Sequence, residues 1–434
     1  MVTVGVRGAV SSRRRPVSRC RQKRFVNCST EMAKDKIVVG LEIGTRKIVA
    51  VVGEVSAENG TMNVVGVGRM PSCGVRKGEI VDFTNAARCV RDALLQAEEN
   101  TGVGIGSVVL SISGGHIGSQ IIKGIRNLEE GVVTHEDLLA VEQAAHDSST
   151  FPQGETPIAL LPRALRIDGN TETLDPVGLM ANSLEGEYHV ITANELRMGN
   201  SNRVLDSLEI MVDAMTFGGL ASMQVVMDDE QRSAGGLVVD IGGGTMDYVA
   251  YCHGWIGASG CIPVAGDHIT NDISMGFKIP MHTAERLKLE HGSALIGDGK
   301  RNEIIRLNSD EGTFSGKPIE RDILLEIINA RVSEMFQVLK GRLDKARVIP
   351  YLGSGVVLTG GTSLLPGIDK VAEEILGVSV RTWSPPGTRP SQSFEDPTLS
   401  TGIGLIKWST MIQSPTDDGV VNKVWKTLKG LFGR

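Results

Sequence analysis

Three consecutive glycines between two acids form the sharpest chemical feature of the sequence. The segment DIGGGTMD supplies Asp240, Gly242, Gly243, Gly244, Thr245 and Asp247. Because glycine has no Cβ, successive backbone N–H groups of such a turn can converge on an anion without steric clash. Asp240 could hold a hydrated Mg²⁺, which usually takes one or two carboxylates. Thr245 could donate to a phosphate oxygen, and Asp247 could either anchor the turn or reach the water shell of the metal.

A second turn of similar design, EIGTRK, occurs near the start of the sequence. It follows Glu42 and offers the backbone amides of Gly44 and Thr45, with Arg46 or Lys47 as a positive partner. Two opposed turns of this kind would clamp a polyphosphate from both sides, which suits negative charge dispersed over several oxygens. An ordinary glycine hairpin is the plainer interpretation of either turn taken alone.

The sequence around the glycines excludes two familiar phosphate sites. A Walker loop requires GxxxxGK[ST] between a strand and a helix, and this sequence lacks that pattern. A dinucleotide-binding fingerprint requires a helix after its glycines, whereas here the apolar run MDYVAY predicts a second strand.

Two further segments could border a base or a ribose. LTGG, with Gly360, Gly361 and then Thr362, predicts a strand that ends in a turn and lets the backbone approach a flat group. AERLKLEHG places Glu285 and Lys288 three residues apart on one helical face. Strand–turn packing and a solvated ion pair, respectively, are the simpler alternatives.

The elements that carry these turns occur in two similar sets. IVVGLEIGTRKIVAVVGEV matches GGLVVDIGGGTMDYVAYCHG in its order of apolar run, acid, turn and second apolar run. SVVLSISGGHI likewise matches GVVLTGGTSLL. Repetition of the same order of elements predicts a duplicated α/β domain with a cleft between the two copies.

Helical segments separate these strands. FTNAARCVRDALLQAEENTG predicts a helix that stops at Gly102, and Thr134 with Asp137 resembles a capping box. IERDILLEIINARVSEMFQVLKGRLDKA predicts a long helix whose buried face carries Ile323, Ile327, Val332, Met335, Leu339 and Leu343. The region from about 116 to 193 predicts short strands and one helix, inserted into the first half.

Charge is distributed unevenly along the chain, which has a net charge of -6. Basic residues concentrate before Met32 and after Gly419, so the body between them is strongly acidic. An acidic body argues against nucleic-acid binding, which usually needs a basic footprint. The six cysteines show no CxxC spacing and predict reduced thiols in a cytoplasmic protein.

The first 31 residues are rich in Arg and Ser and lack the apolar core of a secretory signal. They resemble a transit peptide in composition. A start codon placed too early, with Met32 opening the protein, is the interpretation we favour; a disordered basic arm is the alternative.

The final segment GVVNKVWKTLKGLFGR separates apolar from basic residues when placed on a helical wheel. The apolar arc carries Val420, Val421, Val424, Trp425, Leu428, Leu431 and Phe432. The cations Lys423, Lys426, Lys429 and Arg434 fall outside it. This pattern predicts a helix that lies in the plane of a membrane surface and binds anionic lipids, rather than a helix packed on the body of the protein.

Together, EIGTRK, DIGGGTMD and LTGG resemble the motifs of the actin-like ATPases. More closely, KIVVGLEIGT, GVRKGEIVDF, ISGGHIGS, VVDIGGGTMD, AGDHITNDI, VVLTGG and the basic tail resemble the FtsA family of bacterial cell-division proteins. The resemblance spans residues 36 to 434. It implies an α/β, actin-like ATPase fold: two duplicated domains around a nucleotide cleft, an inserted subdomain in each half and a C-terminal amphipathic helix.

The resemblance also implies a site for ATP with Mg²⁺. Gly44, Thr45 and Lys47 match the first phosphate motif, the DIGGGTMD residues match the second, and Gly360, Gly361 and Thr362 match the adenosine motif. Gly266 and Asp267 would lie near the cleft, and Glu285 and Lys288 would border the base or ribose. Asp240 is the candidate residue for positioning the metal or the attacking water. Glu42 occupies a position where most of the superfamily has Asp, and because its side chain is one methylene longer we expect at most slow ATP hydrolysis.

The family further implies partners and a location. The subdomain at 277–350 would bind the C-terminal tail of FtsZ, and the inserted subdomain would contribute to homopolymer contacts and to later division proteins. The protein would lie on the cytoplasmic side of the inner membrane at the septum, as a peripheral anchor for FtsZ filaments. A sugar-type kinase of the same fold and an MreB-like filament are the alternatives.

The expected organisation divides the chain into ten segments. They are the N-terminal arm (1–35), the first part of domain 1 (36–115), its inserted subdomain (116–195), the rest of domain 1 (196–234), domain 2 (235–276), its helical subdomain (277–350), the domain 2 segment with the adenosine motif (351–397), a helix returning to domain 1 (398–412), a linker (413–418) and the membrane-targeting helix (419–434).

Overall fold

The computed structural model describes residues 35–56, 61–128, 131–173, 175–298, 303–307, 317–384 and 396–413. Of the predicted arm (1–35) only Asp35 is described, and of the predicted linker (413–418) only Gln413, which is wrongly assigned because it is the last residue of a helix. The predicted tail helix at 419–434, with all the membrane-facing residues named above, lies outside the described residues.

Strands are numbered in chain order within the described residues. They are β1 (Lys36–Ile43), β2 (Lys47–Val55), β3 (Met62–Pro71), β4 (Val75–Arg76), β5 (Glu79–Ile80), β6 (Ser107–Ile112), β7 (Gly118–Asn127), β8 (Glu155–Ile167), β9 (Thr171–Thr173), β10 (Ser183–Asn194), β11 (Met211–Phe217), β12 (Gly236–Ile241), β13 (Met246–Cys252), β14 (Trp255–Ile262), β15 (Ile304–Arg306), β16 (Pro318–Glu320), β17 (Val356–Thr359) and β18 (Val380–Thr382).

Helices are numbered in the same way. They are α1 (Phe83–Thr101), α2 (His135–Ser148), α3 (Glu195–Asp206), α4 (Gly218–Val226), α5 (Asp229–Ala234), α6 (Gly266–Phe277), α7 (Met281–His291), α8 (Arg321–Ala346), α9 (Ile368–Leu376) and α10 (Ser400–Gln413).

Two five-stranded sheets with the same strand order form the centre of the described structure. One has the order β11-β6-β1-β2-β3 and the other β18-β17-β12-β13-β14. In each sheet an antiparallel hairpin, β1–β2 or β12–β13, is flanked by a parallel strand, β6 or β17. The predicted pairing of the two sets of elements is therefore confirmed in the sheet topology.

Helix α1 covers one face of the first sheet and follows its sequence signals closely. Asp82 caps its start by accepting the backbone N–H of Asn85, and Gly102 ends it in the left-handed conformation with φ of 70°. The apolar face, including Val90 and Leu94, is buried against β2 and β3. The predicted end of this helix at Gly102 is confirmed.

Helix α10 brings the chain back from the second half to the first sheet. It packs on β1, β2, β6 and α4, where Leu405 and Ile406 are fully buried. A Cβ on Gly40 would overlap the carbonyl oxygen of Gly402, so the absence of a side chain permits this close approach. The start of α10 thereby reaches the cleft between the two sheets.

A third sheet lies between β6 and α3 in the sequence, with the order β7-β10-β8-β9 and α2 packed against it. The capping box at the start of α2, formed by Thr134 and Asp137, is confirmed. The prediction of short strands is wrong, since β8 has 13 residues and β10 has 12. The register shifts where Pro162 pairs with Tyr188, so an irregularity accommodates the proline within a long strand.

The second half adds the helices α6 to α9 to its sheet. Helix α8 buries Val332, Met335, Leu339 and Leu343 as predicted. Ile323 is an exception because its side chain is 41% exposed, while the neighbouring Leu324 is fully buried. Near its start the helix turns Leu324, Leu325 and Ile328 inward, so the buried face is rotated from the predicted one.

In the part of the chain that the structure describes, Cys73, Cys89, Cys252 and Cys261 are free thiols. None of the described helices combines the length and apolarity that crossing a membrane would require.

Candidate functional site

The two glycine turns meet at the carboxyl ends of β1 and β12. In the first turn the N–H of Gly44 donates to the carbonyl of Lys47 over 3.0 Å, and in the second the N–H of Gly242 donates to the carbonyl of Thr245 over 2.9 Å. Both hairpins therefore close in the same way.

Two glycines of the second turn, Gly243 and Gly244, leave the space that the first turn occupies. A Cβ on Gly243 would overlap Cγ of Arg46, and a Cβ on Gly244 would overlap Oγ1 of Thr45. The hydroxyl of Thr45 also accepts a hydrogen bond from the N–H of Gly78 over 3.1 Å, which holds the loop after β4 against the first turn. The two halves thus approach each other through glycine backbone.

Lys47 holds the first turn to the chain that returns from the second half. Its Nζ lies 2.5 Å from Oε2 of Glu42 and also donates to the carbonyl oxygen of Thr398. The side chains of Lys47 and Glu42 are 17% and 18% exposed, so this is a largely buried ion pair.

Asp240 lies across from this pair at the end of β12. The hydroxyl of Thr401, at the start of α10, donates to its Oδ2 over 2.8 Å. Burial and the nearby charge of Glu42 raise the pKa of the Asp240 carboxyl to about 6, although the Thr401 hydroxyl acts in the opposite direction. Asp240 therefore changes between the neutral and the ionised form at about pH 6.

Asp247 is paired with Asp240 across the β12–β13 hairpin and is more deeply buried. The hydroxyl of Ser113 donates to its Oδ2, while its Oδ1 has no hydrogen-bond partner among the described residues. Burial is the largest influence on this carboxyl, and despite the Ser113 hydrogen bond it raises the pKa of Asp247 to about 7.

The LTGG segment packs directly on the second turn. Gly360 has φ of 83°, and a Cβ there would overlap Oδ1 of Asp240. The hydroxyl of Thr362 donates to the carbonyl of Gly242 over 2.7 Å. At Gly361 a Cβ would only contact Thr398 at 3.6 Å, so the protein itself does not require glycine at that position.

Helices α6 and α7 close the side of the second turn. The N–H groups of Gly266 and Asp267 donate to the carbonyls of Gly242 and Gly243 over 3.2 and 2.7 Å. These bonds attach the start of α6 to the glycine turn itself.

Lys288 is buried and the side chain of Glu285 is 24% exposed, so their ion pair is not the fully solvated one of the simpler alternative. Nζ of Lys288 lies 2.8 Å from Glu285 and also donates to Thr270 over 2.9 Å and to the carbonyl of Gly266 over 3.2 Å. Burial opposes ionisation of Glu285, but Lys288, the Thr270 hydroxyl and Arg46 outweigh it and lower the pKa of this carboxyl.

The structure thus brings the predicted cleft residues of both halves together. Three polar residues that sequence reasoning missed join them: Ser113, Thr270 and Thr401. Ser113 follows directly on the repeated strand β6, which is a signal that could have found it. Thr401 is separated from Asp240 by 161 residues and carries no local signal.

Comparison with known proteins agrees with this geometry. The family model described as "Cell division protein FtsA" matches residues 237–404, and that described as "SHS2 domain inserted in FTSA" matches 114–192. The cell division protein FtsA of Escherichia coli strain K12 is 34% identical over 386 residues, which cover 86% of this chain and 90% of that protein.

The chain belongs to the FtsA family of cell division proteins.

A second member of the FtsA family, from Pseudomonas aeruginosa strain PAO1, is 32% identical over 380 residues, covering 87% of this chain and 90% of that protein. Family membership makes this chain a cell division protein, with partners in the division machinery and a place at the division site. It favours this function over the sugar-type kinase and the MreB-like filament.

Solved structures agree with the actin-like fold. The structure titled "PilM-PilN type IV pilus biogenesis complex" has a TM-score of 0.61 at 18% identity and covers 86% of this chain and 98% of that one. MreB5 of Spiroplasma citri, in a crystal structure described as bound to ADP, has a TM-score of 0.53 at 15% identity and covers 88% of this chain and 99% of that one. At these identities the likeness concerns the fold alone.

Proposed function

We propose that this FtsA-family protein binds ATP with Mg²⁺ in the cleft between its two sheets, polymerises, and anchors FtsZ filaments to the cytoplasmic face of the inner membrane. The observation that supports ATP binding most directly is the meeting of two glycine turns, with Gly243 and Gly244 against Arg46 and Thr45. Backbone amides from both turns are then available to the oxygens of one polyphosphate.

The residues around the turns fit a nucleotide. Gly44, Thr45 and Lys47 would hold the phosphates from one side, and Gly242, Gly243, Gly244 and Thr245 from the other. Gly360, Gly361 and Thr362 would face the adenosine, with Gly266, Glu285 and Lys288 along its other edge. ATP held in this way would contact both halves, so that its charge could fix the angle between them.

The acids of the cleft fit a hydrated cation better than a cage of protein ligands. Among the described residues there is no group of three or more His, Cys, Asp or Glu side chains that could hold a metal ion. Asp240 would therefore hold Mg²⁺ through water, as this ion commonly does when it accompanies phosphates. Glu42 and Asp247 would act through that water shell, where the unpartnered Oδ1 of Asp247 could form a hydrogen bond with water.

The subdomain at 277–350 is proposed to receive the FtsZ tail, and the inserted subdomain at 116–195 to contribute to polymer contacts and to downstream division proteins. In support of the former, Leu289 and Ile296 of that subdomain are 74% and 62% exposed. Contiguous exposed apolar patches mark surfaces that bind a partner, and we propose that these two side chains contribute to such a patch.

The segment 419–434 is proposed to bind anionic lipid at the membrane surface. Each of its cations near such a surface contributes about 1 kcal/mol, before the apolar side chains are buried. One tail binds reversibly, and polymers would present many tails and raise the avidity without new contacts. Trp425→Glu should release the protein from anionic liposomes and leave ATP binding unchanged; sedimentation with liposomes that equals the wild type would contradict the proposal.

ATP binding is tested by titration of the purified chain with a fluorescent ATP analogue and magnesium. We expect saturable binding that unlabelled ATP displaces and that weakens when EDTA removes the magnesium. The absence of binding to the folded protein would refute the proposed function. Co-pelleting with FtsZ polymers, with and without liposomes, tests the anchoring role separately.

A further inference from the structure

Arg46 connects the two halves of the molecule at the mouth of the cleft. Its guanidinium donates through Nε to Asp267 of α6, and its Nη2 lies 3.2 Å from Oε2 of Glu285 in α7. The stem of the side chain lies on Gly243. Arg46 therefore crosses the place where the two turns meet.

Arg46 is more exposed than Lys47 and Lys288, the two lysines that pair with acids of the cleft. Its side chain is 46% exposed, whereas those of Lys47 and Lys288 are 17% and 10% exposed. Removing Lys47 from its contacts would leave the largely buried Glu42 unpaired, which is costly. Lys288 likewise satisfies a buried hydroxyl and a carbonyl.

Both partners of Arg46 could lose it without becoming unpaired buried charges. Glu285 would keep Lys288 and the hydroxyl of Thr270 as donors. Asp267 is 26% exposed to water and lies in the first turn of α6, where the helix dipole favours a negative charge. The guanidinium is thus free to change partners at low cost.

Five acids surround the glycine turns: Glu42, Asp240, Asp247, Asp267 and Glu285. Of these, Glu42, Asp267 and Glu285 are already paired with cations. A polyphosphate that enters among them needs a cation that can turn towards it. A guanidinium does this well, because its planar fork binds two phosphate oxygens at once.

We propose that Arg46 exchanges partners, turning from Asp267 and Glu285 to the terminal phosphates when ATP binds. This inference rests on the proposed ATP site. It assigns Arg46 as a specificity-determining residue for the triphosphate and Asp267 as its competitor. Replacing Arg46 should consequently weaken ATP binding, and replacing Asp267 should strengthen it.

The test compares Arg46→Ala, Asp267→Asn and the double variant by titration with magnesium and either ATP or AMP. Arg46→Ala should weaken ATP binding about tenfold or more, which corresponds to one lost charge-assisted contact. AMP binding should change much less, since AMP lacks the terminal phosphates. Asp267→Asn should tighten ATP binding several-fold, and most of that gain should vanish when Arg46 is also replaced.

Two further variants guard against a purely structural effect. Arg46→Lys keeps the charge without the fork and should give intermediate ATP affinity. Arg126 is a matched control, because it is also 46% exposed and pairs with Asp137 at 2.9 Å in the inserted subdomain. Arg126→Ala should leave ATP affinity unchanged.

The possible results separate the inference from the proposed function. If Arg46→Ala and Asp267→Asn shift ATP affinity in the same direction, Arg46 is a static bridge and the exchange is wrong. The same conclusion follows if the gain from Asp267→Asn persists without Arg46, since it then reflects only reduced repulsion of phosphate. A wild-type chain that binds no ATP would overturn both proposals.

Discussion

The two hairpin turns of the cleft have the same backbone hydrogen bond but differ in the charge of their side chains. In the first turn Glu42 is paired with Lys47, and Arg46 adds a second cation. In the second turn Asp240 and Asp247 accept hydroxyl donors, and among the described residues neither forms an ion pair. The repeated sheet order thus carries two unlike surfaces.

The difference shows how a duplicated scaffold can form one site. The first turn supplies Arg46 and Lys47, while the second supplies glycine backbone and two acids that form no ion pair among the described residues. The two turns depend on each other, because the aliphatic part of the Arg46 side chain in the first turn occupies the space that a side chain at Gly243 in the second turn would need. The charge asymmetry also predicts which half makes stability depend on pH.

The largest expected effect concerns Asp247 and pH. Its pKa is raised to about 7, so the folded protein holds a proton that the unfolded chain releases near pH 4. The stabilisation from this group is complete at low pH and is lost as pH rises from about 4 to about 7. The loss is on the order of 4 kcal/mol by linkage.

Asp247→Asn removes the group that releases a proton on unfolding, so the free energy of unfolding should fall less steeply as pH rises. Urea unfolding of wild type and variant at about pH 5 and about pH 8 measures the difference, which should grow in favour of the variant as pH rises. The exposed Asp344→Asn serves as control and should leave the decline unchanged. If the free energy of unfolding depended on pH in the same way for wild type and Asp247→Asn, Asp247 would not be the source of the pH dependence, and the predicted difference between the acids of the two turns would be wrong.

A smaller effect is expected where the turns touch. In Gly244→Ala the new methyl group would overlap Thr45 and approach the Cα of Lys77 to 2.9 Å, so backbone from the two halves must separate. Overpacking of this kind typically costs about 1–3 kcal/mol, or about tenfold to a hundredfold in affinity for a ligand that needs both turns.

The measurement for Gly244→Ala is ATP affinity together with the thermal unfolding midpoint. Gly104→Ala is the matched control, since no atom lies within 4 Å of a Cβ at that position. ATP binding by Gly244→Ala at wild-type strength would mean that the phosphates do not need the contact between the two turns.

Much of the fold followed from local patterns. The glycine at the end of α1 and the capping box of α2 act within a few residues, so sequence alone could place them. The two sheets were predictable because each strand has its own local pattern and the order of the strands is repeated along the chain. Strand length in the inserted sheet and the exposure of Ile323 depend on what packs against them, and there the local pattern failed.

The candidate site divides in the same way. Glycines were predictable because a tight turn constrains the backbone of its own residues. The hydroxyls of Ser113 and Thr401 reach Asp247 and Asp240 from 134 and 161 residues away, through contacts that exist only after both halves have assembled. Arg46, Asp267 and Glu285 were each predicted near the cleft, but the ion pairs between Arg46 and the two acids were not.

The smallest predicted effect sharpens the comparison at Asp240. Thr401→Val removes the hydroxyl that donates to Oδ2 over 2.8 Å, and this hydroxyl lowers the pKa of the carboxyl against the effects of burial and Glu42. Its loss should therefore raise the pKa of Asp240 above its present value of about 6.

Thr401→Val should cost about 1 kcal/mol at about pH 5, where the acceptor is mostly neutral, and about 2 kcal/mol at about pH 8, where it is ionised. Urea unfolding at the two pH values measures both. Thr101→Val is the control because its hydroxyl donates to the uncharged carbonyl of Ala97 over 2.7 Å, so its cost should not vary with pH. Equal costs of about 1 kcal/mol at both pH values would mean that Asp240 stays neutral, and the second turn would then bring no charge for a cation to share. Equal costs of about 2 kcal/mol would mean that Asp240 is already ionised at about pH 5, so that its carboxyl and the ion pair of the first turn would both be charged.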